Sequence, residues 1–299
     1  MNQSNSNFSP PLVTAIIPAY NQEKYIEATI QSVHAQNYSN LEVIVTNDCS
    51  TDRTTQIVND LKSRYGYTLI DNQTNLGLTR TLNLALSRAN GTYVALIGGD
   101  DFWLPEKTAI QVDYMEKHLD VVASSGRVLN MNSNGDIYES KAKGRINDLH
   151  TWSFDDFFMQ NYYFPAIASM IRTSILRKVG GFDERYRFED LPLWLKLAWN
   201  GYRIDILPQD MAIYRIHSAG LHKNRQVMFD SHLQLIKDYV DYPNYPRAVR
   251  DVYSKQLKHG NTMGWRHFMV CMVRGFRFQP TYFRNLAKGL YSSLRQPAA

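Results

Sequence analysis

The chain has 299 residues, 44% hydrophobic and 20% charged, with 33 Lys plus Arg against 28 Asp plus Glu for a formal net charge of +5. That composition is too apolar and too mixed in sign for a disordered chain, and the length accommodates one large core or two. Its two cysteines, Cys49 and Cys271, lie far from any CxxC or Cys/His spacing, which excludes a disulfide framework and a structural zinc site and points to reduced thiols.

Residues 1–11 are rich in Asn and Ser and lack a basic start leading into an apolar run, so they read as a disordered lead-in and not as a signal peptide. The apolar runs, such as 12–19 and 93–97, fall short of the roughly 20 residues a spanning helix needs; the expectation is a cytoplasmic chain that crosses no membrane. β-Branched runs then alternate with helical spacing: a strand over 13–17, a helix within 23–36, a strand over 41–46, a helix over 54–65, a strand over 68–71, a helix over 79–89 and a buried strand over 92–97. This alternation predicts an α/β fold with a mostly parallel sheet and helices on both faces. Pro105 suits the first turn of another helix, and 121–129 reads as a strand. Residues 130–150 mix Asn, Ser, Gly and Lys as a loop does, and 151–163 form an aromatic-rich insertion suited to shaping an acceptor pocket. A helix over 191–199 is closed by Asn200-Gly201, and a strand over 211–216 ends at His217. The Tyr-Pro-rich stretch 241–246 is the clearest boundary; beyond it, 247–299 holds ten Lys or Arg against Asp251 alone, leaving 23 basic and 27 acidic residues in the body.

Ligands of parallel α/β sheets bind beyond the carboxyl ends of the strands. There the chain carries Pro18-Ala19-Tyr20-Asn21-Gln22-Glu23, then Asn47-Asp48-Cys49-Ser50-Thr51-Asp52, then Gly98-Gly99-Asp100-Asp101. Small residues at Gly98 and Gly99 let a ligand approach the backbone. Two adjacent acids, Asp100 and Asp101, suit a hard divalent ion shared with substrate phosphates, a solvated acidic turn being the alternative. Asp48 can accept an imino N–H from a base. Asp52 is set to cap the next helix, and Arg80, on the first turn of a later helix, can meet a pyrophosphate or remain exposed. Trp103, Trp194 and the aromatics of 154–164 are candidates for stacking on a sugar, with core packing as the alternative.

The segments "VTAIIPAYNQE" from Val13, "VTNDCSTD" from Val45, "NLGLTRTLNLA" from Asn75, "ALIGGDDFWLPEKT" from Ala95, "VGGFDERYRFEDLPLWLKLAWNG" from Val179 and "YRIH" from Tyr214 resemble, in order and spacing, the family 2 inverting glycosyltransferases. The resemblance implies a GT-A fold over 12–224, with a Rossmann-like nucleotide-binding half and a basic, aromatic-rich helical extension over 225–299. It implies a nucleotide-sugar donor, of the UDP class by the usual base, with Mn²⁺ or Mg²⁺, and a glycan or lipid-linked acceptor in surface polysaccharide synthesis. By motif match, Pro18, Tyr20, Asn21 and Glu23 line the nucleoside pocket, Asp48 contacts the base, and Arg80 lies near the base or phosphates. Gly99 and Asp100 fall in the DxD element, with Asp100 its final acid, Asp101 the acid that follows, and His217 near the diphosphate and metal. Asp190 matches the catalytic base, with Glu189 its local rival. The sequence departs from the pattern at Gly98, where the first Asp of DxD stands, and at Asn47 and Cys49, where the family has Asp and Gly. Two other readings are a nucleotidyltransferase and a nucleotide-sugar-binding partner without activity.

At the end of the chain, Trp265, Phe268, Met269, Met272 and Phe276 recur at helical spacing, with Arg266, Arg274 and Arg277 to the side and back. Such a face suits an anionic membrane surface at the inner side of the cell membrane, or packing on the catalytic domain or on a second subunit of a homodimer. No recognition motif accompanies the charge, so nucleic acid is not the expected partner.

Overall fold

The computed structural model describes residues 9–139, 146–216, 225–259, 265–276 and 279–294. They fall into two compact units, one within 1–157 and 162–218, the other within 158–161 and 219–299. His217 and Arg277, singled out above, lie outside the described residues, as do residues 1–8 of the expected lead-in.

In the first unit, β1 (Val13–Ala19) and β2 (Leu41–Asn47) pair in parallel register, Ala19 opposite Asn47. Both are β-branched runs buried on both faces, as a strand covered by helices requires. The crossovers are α1 (Ile26–His34), α2 (Thr54–Tyr65) and α3 (Leu78–Arg88), leading to β3 (Thr68–Asp71) and β4 (Tyr93–Leu96). Gly66 ends α2 in the left-handed region (φ 71°), where its N–H bonds the Lys62 carbonyl. Next come β5 (Phe102–Trp103), α4 (Lys107–Lys117), β6 (Val121–Met131), β7 (Ile137–Glu139), β8 (His150–Trp152) and α5 (Phe154–Phe158). A 3₁₀ turn (Ala166–Ala168), β9 (Met170–Arg172), α6 (Thr173–Lys178), α7 (Asp190–Trp199) and β10 (Arg203–Arg215) complete the unit.

The ten strands form one sheet in the order β3-β2-β1-β4-β9-β6-β10-β5, with β7 beside β6 and β8 beside β10. β9 runs antiparallel to both β4 and β6, so β3, β2, β1, β4, β6 and β10 all point one way. The sheet is therefore mostly parallel, as the strand and helix alternation implies. Sequence periodicity misses β7, β8 and β9 because three residues are too few to show a period of two. The strand expected over 211–216 is the end of the 13-residue β10, whose register shifts around Asp210 interrupt its alternation.

The second unit holds α8 (Arg225–Lys237), α9 (Tyr245–Leu257), α10 (Trp265–Arg274) and α11 (Pro280–Leu294). α9 is the central helix, in contact with the other three. Phe229 meets Tyr253 and His267 edge-on, with ring centroids at 5.4 and 5.2 Å. Tyr253 Oη accepts from the Arg274 guanidinium (2.9 Å), and Asn285 Nδ2 donates to the Ser254 carbonyl (3.1 Å). On α10, Phe268 and Cys271 are buried, while Val270 and Val273 are turned outward. Of the apolar face expected here, Phe268 is thus covered by its own unit, whereas Phe276, just past the helix, is exposed along with Val270 and Val273. No helix of the described residues is long and apolar enough to cross a membrane.

Candidate active site

The polar rim at the carboxyl ends of β1, β2 and β4 is knitted together by hydrogen bonds between loops. The Asn21 amide N–H donates to Ser50 Oγ (3.0 Å) and Asn21 Oδ1 accepts from the Thr51 N–H (2.8 Å). The Gln22 N–H reaches Thr54 Oγ1 (2.7 Å), the Glu23 N–H reaches Asp52 Oδ2 (3.1 Å), and the Glu23 carboxylate accepts from the Arg53 N–H (3.1 Å). Asn21 and Cys49 hold positive φ, 53° and 59°. Cys49 therefore occupies the conformation that glycine takes most readily, which accounts for the Gly of the family pattern at this position. Tyr20 is exposed and Pro18 lies within β1. A Cβ built on Gly99 would stand 2.9 Å from the Pro18 carbonyl, so only glycine lets these two strand ends approach so closely.

Asn47 is buried and bonded on both sides of its amide, donating to Thr55 Oγ1 (2.8 Å) and Asp71 Oδ1 (2.7 Å) and accepting from Ser50 Oγ (2.6 Å). Asp48, also buried, accepts at Oδ1 from the Leu76 N–H (2.8 Å) and Asn72 Nδ2 (2.9 Å), and at Oδ2 from the Gly77 N–H (2.9 Å). A carboxylate has about four acceptor sites, so one remains for a ligand. This carboxylate pins the loop that opens α3.

α3 in turn carries the segment that leads to Asp190. Asn83 Nδ2 donates to the Phe182 carbonyl (2.8 Å), Asn83 Oδ1 accepts from the Phe182 N–H (2.9 Å), and Thr79 Oγ1 donates to the Tyr186 carbonyl (3.3 Å). Gly181 has φ 67°, and a Cβ there would lie 2.6 Å from Asn83 Oδ1. Arg80 pairs with Glu184 on this same segment (3.2 Å), an exposed pair of small energetic weight. Asp190 starts α7, where its Oδ1 accepts from the Leu191 N–H (2.7 Å). Burial raises the affinity of both Glu189 and Asp190 for a proton. Glu189 is pushed up to about 8, first by burial and then by the neighbouring charge of Asp190. Asp190 is raised by burial and held back by the hydrogen bond from Leu191.

At the end of β4, the Asp100 and Asp101 carboxylates converge over Gly98: a Cβ on that residue would lie 2.8 Å from Asp100 Oδ1 and 3.0 Å from Asp101 Oδ2. Asp101 is buried, and its proton affinity is raised by desolvation and by the Asp100 charge. Sequence reasoning missed the group that answers this charge. The Arg215 N–H donates to Asp101 Oδ1 (2.9 Å), and Arg215 Nε donates to the Asp100 carbonyl (3.0 Å). Its guanidinium lies 4.7 Å from the ring centroids of both Tyr25 and Phe102. Its signal in the sequence is its place in "YRIH", two residues before the His that carries the family match. The two acids fit a divalent cation, being adjacent, convergent and partly desolvated. Among the described residues no third His, Cys, Asp or Glu joins them in a cluster.

Trp103 and Trp194 are both buried in the core. Trp103 Nε1 donates to the Ile167 carbonyl (2.7 Å) and its ring faces Lys107 Nζ at 4.1 Å, while Trp194 packs edge-on against Phe164 at 4.8 Å.

The family model described as "Glycosyl transferase family 2" matches residues 14–184. The amylovoran biosynthesis glycosyltransferase AmsE of Erwinia amylovora is 26% identical over 220 residues, covering 72% of this chain and 80% of its own length. Among solved structures, S. aureus TarS 1–349 in complex with UDP-GlcNAc gives a TM-score of 0.70 at 16% identity, covering 94% of this chain and 89% of that one. The chain spans about half, 54%, of a longer TarS chain. The mannosyltransferase PcManGT from Pyrobaculum calidifontis, in complex with GDP-Man and Mn²⁺, gives a TM-score of 0.63 at 18% identity, covering 95% and 86%. At these identities the likeness is one of fold, and the fold is GT-A.

Proposed function

The chain belongs to glycosyl transferase family 2, and from that premise we propose that it moves a sugar from a UDP-class nucleotide-sugar to a hydroxyl of a glycan or lipid-linked acceptor in polysaccharide biosynthesis, inverting the anomeric carbon. The observation that carries this reading is the convergence of Asp100 and Asp101 over Gly98 at the end of β4, beside the interlocked loops of β1 and β2. The donor class is supported by the UDP-GlcNAc bound to TarS, the product class by the part of AmsE in amylovoran biosynthesis, and a metal by the Mn²⁺ bound to PcManGT.

In this reading the remaining acceptor site of Asp48 takes the base N–H, and Gly98 and Gly99 leave the room in which the two carboxylates and the Pro18 carbonyl close up beside the diphosphate site. Asp100 and Asp101 would hold Mn²⁺ or Mg²⁺, and the family match adds His217, which lies outside the described residues. A bound divalent ion supplies neutralisation of the charge that grows on the departing diphosphate. Asp190 accepts the proton of the acceptor hydroxyl; that oxygen bonds to the anomeric carbon, and the electron pair of the breaking C–O bond leaves with the diphosphate. Burial and the neighbouring Asp190 charge push Glu189 up, while the Leu191 N–H holds Asp190 back, so that of the two Asp190 is the one favoured to carry the charge. This division supports Asp190 over Glu189 as the base.

The test is a panel of UDP-, GDP- and dTDP-sugars with Mn²⁺ and extracted acceptors, with the anomeric configuration of donor and product read by NMR. Inversion with a UDP-sugar is expected, and Asp190→Asn should bind donor normally while transfer falls roughly 10²–10⁴-fold. Full transfer by Asp190→Asn would remove the base assignment. Tight nucleotide binding without turnover of any donor would make the chain an inactive binding module.

A further inference from the structure

A cavity of about 290 Å³ in the second unit is lined by His232, Lys255, Lys258 and His259, with Gln160 and Gln256 beside them. Phe229, Met228 and Val252 form its apolar wall, and among the described residues no Asp or Glu lines it. Its volume is at the lower end of small-molecule pockets, which run about 300–1,000 Å³. Lys255 lies in the last turn of α9, Lys258 and His259 follow in the turn that closes it, where the His259 N–H bonds the Gln256 carbonyl (3.0 Å), and His232 comes from α8. Lys255 Nζ is directed by the Met159 carbonyl (3.3 Å) and Gln160 Oε1 (3.4 Å). The imidazole of His232 is pushed down to about 4, first by burial and then by the Lys255 charge.

Concentrating basic groups in a concave, partly apolar site without a carboxylate produces a focused positive potential. Ammonium groups bind phosphate oxygens as point charges, and an imidazole and two carboxamides add directional donors. We propose that this cavity binds a phosphate-bearing ligand, with its anionic oxygens on Lys255, Lys258 and the two histidines and its adjoining apolar part against Phe229 and Met228. The site shares no residue with the strand-end loops and goes beyond the transfer reading.

The full chain, without divalent ions, is titrated with inorganic pyrophosphate while its histidine ring resonances are followed by NMR, the His232 signal being identified with His232→Gln. A saturable shift of the His232 and His259 signals is expected. Lys258→Glu, a reversal on an exposed side chain, should weaken binding roughly tenfold or more, as loss of a charge-assisted hydrogen bond predicts; Lys255→Met should do the same. Competition by phosphatidate-containing vesicles, but not by phosphatidylcholine vesicles, identifies a lipid headgroup as the natural source. Binding of pyrophosphate that phosphatidate does not compete identifies a soluble ligand. No saturable shift, or an unchanged titration in Lys258→Glu, overturns the proposal, and the transfer assay is independent of either result.

Discussion

Glu189 and Asp190 show how burial sorts two adjacent acids. Because the folded pKa of Glu189 lies near 8 against 4.5 for the ordinary side chain, the native state binds an extra proton between those values. Stability tied to that proton is present below pH 4.5 and is lost as pH rises through about 8. Glu189→Gln should therefore flatten the decline in melting temperature over that range, measured by calorimetry from pH 5 to 9; an unchanged slope would mean that Glu189 ionises freely. Arg215 is a positioning residue by the same logic, since it touches the Asp100-Asp101 turn through its own N–H and its Nε. Arg215→Met keeps the backbone donor and removes the guanidinium between Tyr25 and Phe102. The expected outcome is a rise of roughly tenfold in the metal concentration needed for half-maximal transfer, with kcat at saturating metal much less affected and partial rescue by Lys. Equal loss in both terms would assign Arg215 a different task. The acids were legible in the sequence because carboxylates at strand ends are conspicuous. Arg215 was not, because its role depends on rings contributed by residues 25 and 102.

Among elements, α3 does the most to assemble the site, since its opening loop is held by Asp48 and it receives the 181–186 segment through the half-buried Asn83 and the buried Thr79. Its existence follows from helical periodicity, whereas its bridging task required the fold. The helices of the second unit approach each other through glycine. A Cβ on Gly289 of α11 would come 2.0 Å from the Leu257 carbonyl, and one on Gly275 would come 2.7 Å from the Ser254 nitrogen. Gly289→Ala should therefore destabilise that unit by about 1–3 kcal/mol despite improving helix propensity. Urea unfolding followed by circular dichroism checks this; a stabilised variant would show that α9 and α11 pack less closely than described. The amphipathic spacing on α10 correctly marks Phe268 as apolar-facing, yet periodicity says nothing about which neighbour covers a face, and α9 lies against this helix.

For the molecule as a whole, the net charge of +5 divides between a body with 23 basic and 27 acidic residues and a tail from residue 247 with ten basic residues and one acid. Part of that excess, Lys255 and Lys258, lines the cavity of the second unit. The sequence by itself determined the alternation of strands and helices, the polar strand ends and the family, because those are carried by local periodicity and by motifs of neighbouring residues. Only the tertiary structure decided which oxygens of Asp48 are already engaged, that Asn83 joins motifs about a hundred residues apart, and that burial raises the proton affinity of Glu189. Desolvation and through-space contact come from segments distant along the chain, and no local pattern encodes them.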